Sequence, residues 1–242
     1  MKMERLDKYL ASRGYGSRKD VQRLIKSGAV SVDGELCKSC ETKIDTQSAQ
    51  VTVNGQAVTG EEFVYIMMNK PAGVVCATED KRDKTVLDIL PPELKRRGLF
   101  PAGRLDKDTE GLLIITNDGD FAHRMLSPKK HVYKKYVAQL DGEITDETIK
   151  NFSDGIVFSD GTRCLPAKLE NGINSDKNVG IVTICEGKFH QVKRMFAVCG
   201  LKVVHLQRIS IGNLYLDGNL PIGGCKSLSN LQIQQVFIGN IH

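Results

Sequence analysis

One stretch limits what this chain can fold into more than any other. Gly103-Arg104-Leu105-Asp106-Lys107-Asp108-Thr109-Glu110-Gly111 runs directly into Leu112-Leu113-Ile114-Ile115-Thr116-Asn117-Asp118-Gly119. Charges of both signs are crowded between two glycines, and the apolar run that follows has the length and β-branched content of a buried strand. The charged residues are therefore expected in a turn braced by core, where folds commonly carry their chemistry. Three readings fit such a turn. Asp, Lys, Glu and Gly are ordinary turn residues, so it can be a solvated connection. Asp106-x-Asp108-x-Glu110-Gly111 imitates the start of a calcium loop, but Asn117 stands where the bidentate Glu belongs, and no helix precedes it. The third reading is catalytic, and it requires partners elsewhere in the chain.

The 242 residues suffice for one large domain, or a small one plus a medium one. Lys and Arg outnumber Asp and Glu by 34 to 29, and the net charge of +5 predicts a local basic surface rather than a wholly cationic one. No apolar run resembles a signal peptide or approaches a membrane span, so a cytoplasmic protein without a membrane partner is expected. Seven scattered cysteines suit a reducing compartment better than a disulfide framework. Cys37-x-x-Cys40 lacks a second Cys or His pair at zinc spacing, so it reads as part of a surface strand and turn.

Residues 1–60 are expected as a small basic domain. Leu6, Tyr9 and Leu10 form the apolar side of a short helix ending at Gly14, and Ser17, with Asp20 three residues on, is positioned to cap a second. At helical spacing Val21, Leu24 and Ile25 share one face, and Lys19, Arg23 and Lys26 the opposite one. Arg18 extends this cationic stripe, and no acidic residue is expected on it. A charged outer face is often merely solvated. Strands at 29–32 and 51–53 precede Asp33-Gly34 and Asn54-Gly55 hairpin turns. The string Arg5-Leu6-Asp7-Lys8-Tyr9-Leu10, Ser17-Arg18, Leu24-Ile25, Gly28-x-Val30-x-Val32-Asp33-Gly34 resembles the S4 RNA-binding domain. That resemblance assigns Arg18, Lys19, Arg23 and Lys26 to phosphate contacts.

A polar linker is expected at 59–62, and a second domain over 61–242. It opens with a strand at 63–68, stopped by Asn69-Lys70-Pro71-Ala72-Gly73. A short helix at 85–90 is ended by Pro91-Pro92, and Lys95-Arg96-Arg97 is a second basic cluster. A helix at 121–126 leads to Ser127-Pro128-Lys129-Lys130-His131 and then a strand in which Lys134 and Tyr136 share a face. On spacing alone, that tyrosine reads as core. A capped helix at 145–151, a turn at Asp160-Gly161, and strands at 162–169 and 179–185 follow. In Glu186-Gly187-Lys188-Phe189-His190-Gln191-Val192-Lys193-Arg194-Met195-Phe196, the residues Val192, Met195, Phe196 and Cys199 recur at helical spacing up to Gly200. Closing strands are expected at 203–206 and 207–209.

Taken together, Gly103-Arg104-Leu105-Asp106 with Thr109 and Gly111-Leu112-Leu113, Asn69-Lys70-Pro71 with Gly73, Lys134-x-Tyr136, and the Glu186 to Met195 string resemble the RsuA-type pseudouridine synthases. The resemblance extends from Arg5 to about Val236. It implies an α+β protein: a small N-terminal S4 RNA-binding domain plus a catalytic domain built on a largely antiparallel mixed sheet. It implies Asp106 as the essential carboxylate, acting either as nucleophile on the ribose or as base toward C2′. Tyr136 is implied as the residue that stacks on the flipped base and removes the C5 proton. A basic residue of the helix closed by Gly200 is implied to pair with Asp106; by position this is Lys193, with Arg194 the neighbouring alternative. Arg104, Lys134 and Arg194 are further candidate RNA contacts, and His190 a structural or RNA-contacting residue.

The reaction breaks uracil N1 from ribose C1′ and rejoins the base through C5, so no redox cofactor or metal is expected. The 127–131 segment and the 191–197 run look closest to the branch acting on small-subunit (16S) ribosomal RNA; relatives acting on large-subunit RNA are the alternative. A monomer is expected, working on RNA in a partly assembled small subunit. Two readings of another class remain: a non-catalytic ribosome-assembly factor, and a glycoside hydrolase using Asp106 and Asp108. The hydrolase would call for sugar-stacking aromatics, commonly Trp, and the chain has none.

Overall fold

The structure, a computed structural model, describes residues 3–58, 63–96, 98–127, 130–172 and 176–238. The expected linker at 59–62, together with Arg97, Pro128 and Lys129, lies outside the described residues.

Two units each close on their own core. In the first, β1 (Met3–Arg5) leads into α1 (Leu6–Ser12) and α2 (Arg18–Lys26). Ser17 and Asp20 form the expected reciprocal capping box at the start of α2. β2 (Val30–Val32), β3 (Glu35–Leu36), β4 (Lys43–Asp45), β5 (Val51–Val53) and β6 (Gln56–Ala57) follow. Four of them pair antiparallel in the order β3-β2-β5-β6, and β4 pairs with β1. Asp33-Gly34 and Asn54-Gly55 carry positive φ at both residues, which matches the hairpin turn to the strand twist. Leu6, Leu10, Val21, Ile25 and Val30 fill the core. Beside it, buried Asp7 accepts from Arg5 Nε at 3.0 Å and Nη2 at 2.9 Å, and from Gln22 at 3.3 Å. Burial pushes this carboxyl up, but the Arg5 and Gln22 hydrogen bonds outweigh it and hold it below the ordinary range.

The second unit contains β7 (Tyr65–Lys70), a 3-10 turn at Pro92–Leu94, β8 (Phe100–Pro101), β9 (Glu110–Thr116), α3 (Gly119–Leu126), β10 (Lys134–Leu140) and α4 (Asp146–Asp154). Then come β11 (Lys168–Asn171), β12 (Val179–Ile184), α5 (Gln191–Val198), β13 (Val203–Ile211), β14 (Leu214–Tyr215), β15 (Cys225–Ser227) and α6 (Asn230–Gln235). The sheet runs β11-β12-β10-β13-β9-β7-β15, with β14 on β13 and β8 on β9. β9 and β13 pair parallel at its centre, whereas the other recorded pairings are antiparallel. Alternation along β9 serves two cores. Leu113 and Ile115 join the one that includes Phe152 of α4 and Phe196 of α5, while Leu112 and Ile114 join the one that includes Phe121 and Met125 of α3.

Four expectations change. Residues 85–90 form turns, not a helix: the Asp88 and Leu90 amides donate three residues back, to Thr85 O at 3.2 Å and Leu87 O at 3.4 Å, and Pro91 and Pro92 have no N–H to continue a helical ladder. The strand expected at 162–169 shortens to β11, since Pro166 has no N–H for a ladder. The first strand shifts to 65–70, carrying polar Asn69 and Lys70 into the interior. Finally, 203–206 and 207–209 are one continuous strand, β13.

Candidate active site

The charged turn sits between β8 and β9, at the sheet's parallel junction. There Gly111 faces Arg208, and a Cβ on Gly111 would lie 2.3 Å from Arg208 O; φ at this glycine is +99°. Only glycine lets the two strands meet at this point. From β7, fully buried Lys70 reaches under the turn. Its Nζ donates to Pro71 O at 2.9 Å, Asp106 O at 3.1 Å, Lys107 O at 3.2 Å and Thr109 O at 2.9 Å. Burial pulls this amine below its ordinary range, although Cys76 and the nearby carboxylates oppose the shift. Gly73 N to Lys107 O at 2.8 Å and Leu105 N to Cys76 Sγ at 3.3 Å complete the clamp.

This clamp presents Asp106 to the start of α5. Lys193 Nζ lies 3.4 Å from Asp106 Oδ2 and 2.5 Å from Asp108 Oδ1, so it is shared between two carboxylates and bonds Asp108 more closely. The Lys193 hydrogen bond holds the Asp108 carboxyl below its ordinary range. Of the two neighbouring cations Lys193 is the one beside Asp106, whereas Arg194 donates to Asp160 at 2.6 Å and lies over the Phe158 ring. His190 Nε2 is 3.6 Å from Asp106 Oδ1. Glu186 braces the segment before α5, accepting from Leu165 N, Gln191 Nε2 and Lys188 Nζ.

A cavity of about 590 Å³ opens beside the turn, lined by Arg104, Lys134, Tyr136, Glu186 and Arg208 among others. A smaller space that also includes Tyr136 and Arg104 continues to Asp106 and His190. Tyr136 and Lys134 share a face of β10 as expected, and both are buried. Arg208 of β13 donates from Nε to Leu112 O at 2.8 Å and from Nη1 to the Tyr136 hydroxyl at 3.5 Å; its Nη2 has no hydrogen-bond partner among the described residues. Burial first, and then the charge of Arg208, lower the Lys134 amine to about 8. Lys134 thus belongs to the cavity wall rather than an exposed basic strand. Arg104 is exposed at the opening.

The expected stripe of α2 divides. Lys19 and Lys26 are exposed with no ion pair among the described residues. Arg23 pairs with Asp20 at 2.7 Å, so an acid does lie on this surface, one turn away. Arg18 bonds Asp120 of α3 at 3.0 Å, and Asn117 Nδ2 donates to Ser12 O at 3.3 Å, which ties the two units together. Between them lies a larger cavity of about 650 Å³, lined by Lys8, Arg18, Phe100 and Asp120 among others.

Family comparison adds to this geometry. Residues 64–198 match the RNA pseudouridylate synthase family, and residues 4–48 match the S4 domain. The chain belongs to the RsuA-type RNA pseudouridine synthases. It is 49% identical over 95% of its length to an RNA pseudouridine synthase of Bacillus subtilis strain 168, covering 96% of that protein. It is 41% identical over 96% of its length to the ribosomal small subunit pseudouridine synthase A of Vibrio parahaemolyticus, covering 99% of it. Against the ribosomal large subunit pseudouridine synthase B of Bacillus subtilis strain 168, identity is 37%, with 97% and 96% covered. A crystal structure of a pseudouridylate synthase superposes with a TM-score of 0.68 at 35% identity, over 96% of this chain and 99% of that one.

This synthase has two site residues that sequence reasoning did not single out. Lys70 lies within the quoted Asn-Lys-Pro step, but a lone lysine reads as surface, and nothing local shows its amine meeting carbonyls 36 to 39 residues away. Arg208 stood in an expected strand; its signal was a charge among the strand's apolar residues Leu206, Ile209 and Ile211.

Proposed function

We propose that this synthase isomerises a uridine in small-subunit ribosomal RNA, with residues 1–60 docking the RNA and 61–242 performing the chemistry. The observation that carries the assignment of roles is the meeting of Asp106 and Lys193, 87 positions apart in sequence, beside the cavity that holds Tyr136. The target uridine leaves its stack at a cost of a few kcal/mol. Stacking on Tyr136 returns about 1–3 kcal/mol. Asp106 then acts at the sugar, as nucleophile on C1′ or base at C2′, and the N1–C1′ bond breaks. The base turns, C5 bonds to C1′, the C5 proton leaves to Tyr136 or to solvent, and N1 ends protonated. Composition is unchanged. Lys193 keeps the carboxylate charge compensated where enclosure by a base removes water. Arg104, Lys134 and Arg208 present positive charge to the phosphates or to the detached base.

The small-subunit assignment is supported by the 127–131 and 191–197 segments and by the name of the 41% identical relative. The 37% identical large-subunit relative supplies the second reading. A monomer in the cytoplasm, acting on a partly assembled subunit, fits this reading. The test is a pseudouridine map of ribosomal RNA from cells with and without the protein. Loss of one small-subunit site supports the proposal; loss of a large-subunit site transfers it to the second reading; no loss at any site overturns it.

A further inference from the structure

Phe189 is the most exposed of the large apolar side chains among the described residues, at 75%. Its ring is nevertheless stacked on that of His190, with centroids 3.8 Å apart and planes 18° from parallel. The arrangement holds His190 at φ 49°, ψ 36°, a left-handed conformation that costs a non-glycine residue about 1–3 kcal/mol. Of the other non-glycine residues with positive φ, Asp33 and Asn54 sit in hairpin turns that require it. His190 is the N-cap of α5, and its Nε2 lies 3.6 Å from an Asp106 carboxylate oxygen. Two aromatic rings are therefore stacked outward from the reacting carboxylate, and the outer one turns a bare apolar surface to solvent.

We infer that Phe189 stacks on the nucleobase next to the target uridine in the RNA. The inference rests on the uridine-flipping reading above. A uridine withdrawn from its stack leaves an adjacent base with an uncovered face as well as exposing its own. Tyr136, inside the cavity, can cover only the flipped base. The uncovered neighbour stays on the strand one nucleotide away, outside the cavity, and Phe189, stacked on the histidine that meets Asp106, is the exposed aromatic surface beside the site. His190 acts as the spacer that fixes the ring's height and plane, a positioning residue rather than a catalytic one. Stacking tolerates any base, so Phe189 demands a base at that position without reading its identity. Exposed Arg104 at the cavity opening adds a cation suited to the phosphate between the two nucleotides.

The test is single-turnover kinetics on deproteinised ribosomal RNA from cells lacking the protein. The RNA is whichever one the map identifies, so a wrong subunit assignment shows in the map and leaves this test standing. Phe189→Ala is expected to lower kcat/KM by about 5- to 150-fold, the 1–3 kcal/mol of a base–aromatic stack at 1.4 kcal/mol per tenfold. Phe189→Trp restores the rate and Phe189→Leu does not. In synthetic fragments, an abasic residue at the flanking position removes the difference between Phe189→Ala and wild type. Equal rates for Phe189→Ala and wild type on naked RNA would overturn the inference, as would full rescue by Leu. A deficit seen only on ribosomal particles would overturn it in favour of a protein contact.

Discussion

The cations of α2 and those around the turn at 103–111 differ in how they are held. On α2 the side chains stand free or in surface pairs: Arg18 and Arg23 are 57% and 78% exposed even with their partners. At the turn, backbone carbonyls are tied to a buried amine, a glycine admits the neighbouring strand, and Lys193 is fixed between two carboxylates. Phosphate attraction acts through summed charge and tolerates loose side chains. Bond-making at C1′ tolerates no such looseness, since small misplacements of reacting groups cost orders of magnitude in rate. The fold spends its rigidity on the turn.

Among the residues placed around Asp106, the largest expected effect that would break this contrast is at Lys193. Lys193→Met should lower single-turnover rate by about 10- to 10³-fold, the scale on which a neighbouring cation stabilises a carboxylate, with RNA affinity nearly unchanged. Asp108→Asn sharpens it: Lys193 keeps Asp106 as its partner, so the rate should stay within about tenfold of wild type. Equal collapse in both variants would show that Lys193 works through Asp108.

Next comes Lys70→Met, which strands carbonyls beneath the turn at about 1–3 kcal/mol for each one left unsatisfied. A total on the order of 3 kcal/mol corresponds to a Tm lower by about 6–12 °C in a chain of this size, read by thermal melting alongside activity. Lys134 gives a pH signature. Its amine titrates near 8, so its charge is lost as pH rises through that value, and KM for RNA should rise above it. The folded pKa lies below the ordinary lysine value, so the unfolded chain binds the extra proton between the two, and stability changes in the favourable direction as pH rises there. Activity that falls while the fold holds is thus the expected pattern, and Lys134→Met should flatten it.

Smallest are the free cations of α2. Lys19→Ala and Lys26→Ala should each weaken binding a few-fold and reduce the salt slope by about one, with kcat unchanged.

Much of the turn was legible in the sequence, because its glycines and charges sit directly before an unmistakable strand. The S4 unit was legible for a similar reason: its caps and hairpins are encoded within three or four residues. Asp106 meeting Lys193 came from resemblance, since no local pattern joins residues from separate elements. Lys70 and the sharing of Lys193 with Asp108 were hidden because both depend on where strands and helices converge. The helix expected at 85–90 stops at turns, because Pro91 and Pro92 withhold the N–H groups a second helical turn needs. β15 and α6 fall in a region whose short elements carry little periodicity.

The most direct test of the chemistry proposed for this turn is Asp106→Asn, measured for RNA affinity and for pseudouridine formation on the same RNA. The change removes a charge but keeps the side chain's shape, and the clamp from Lys70 uses the Asp106 carbonyl rather than its carboxylate. The expected result is affinity within a few-fold of wild type and a rate lower by at least about 10³-fold. Pseudouridine formed at the wild-type rate would contradict the assignment of chemistry to this turn.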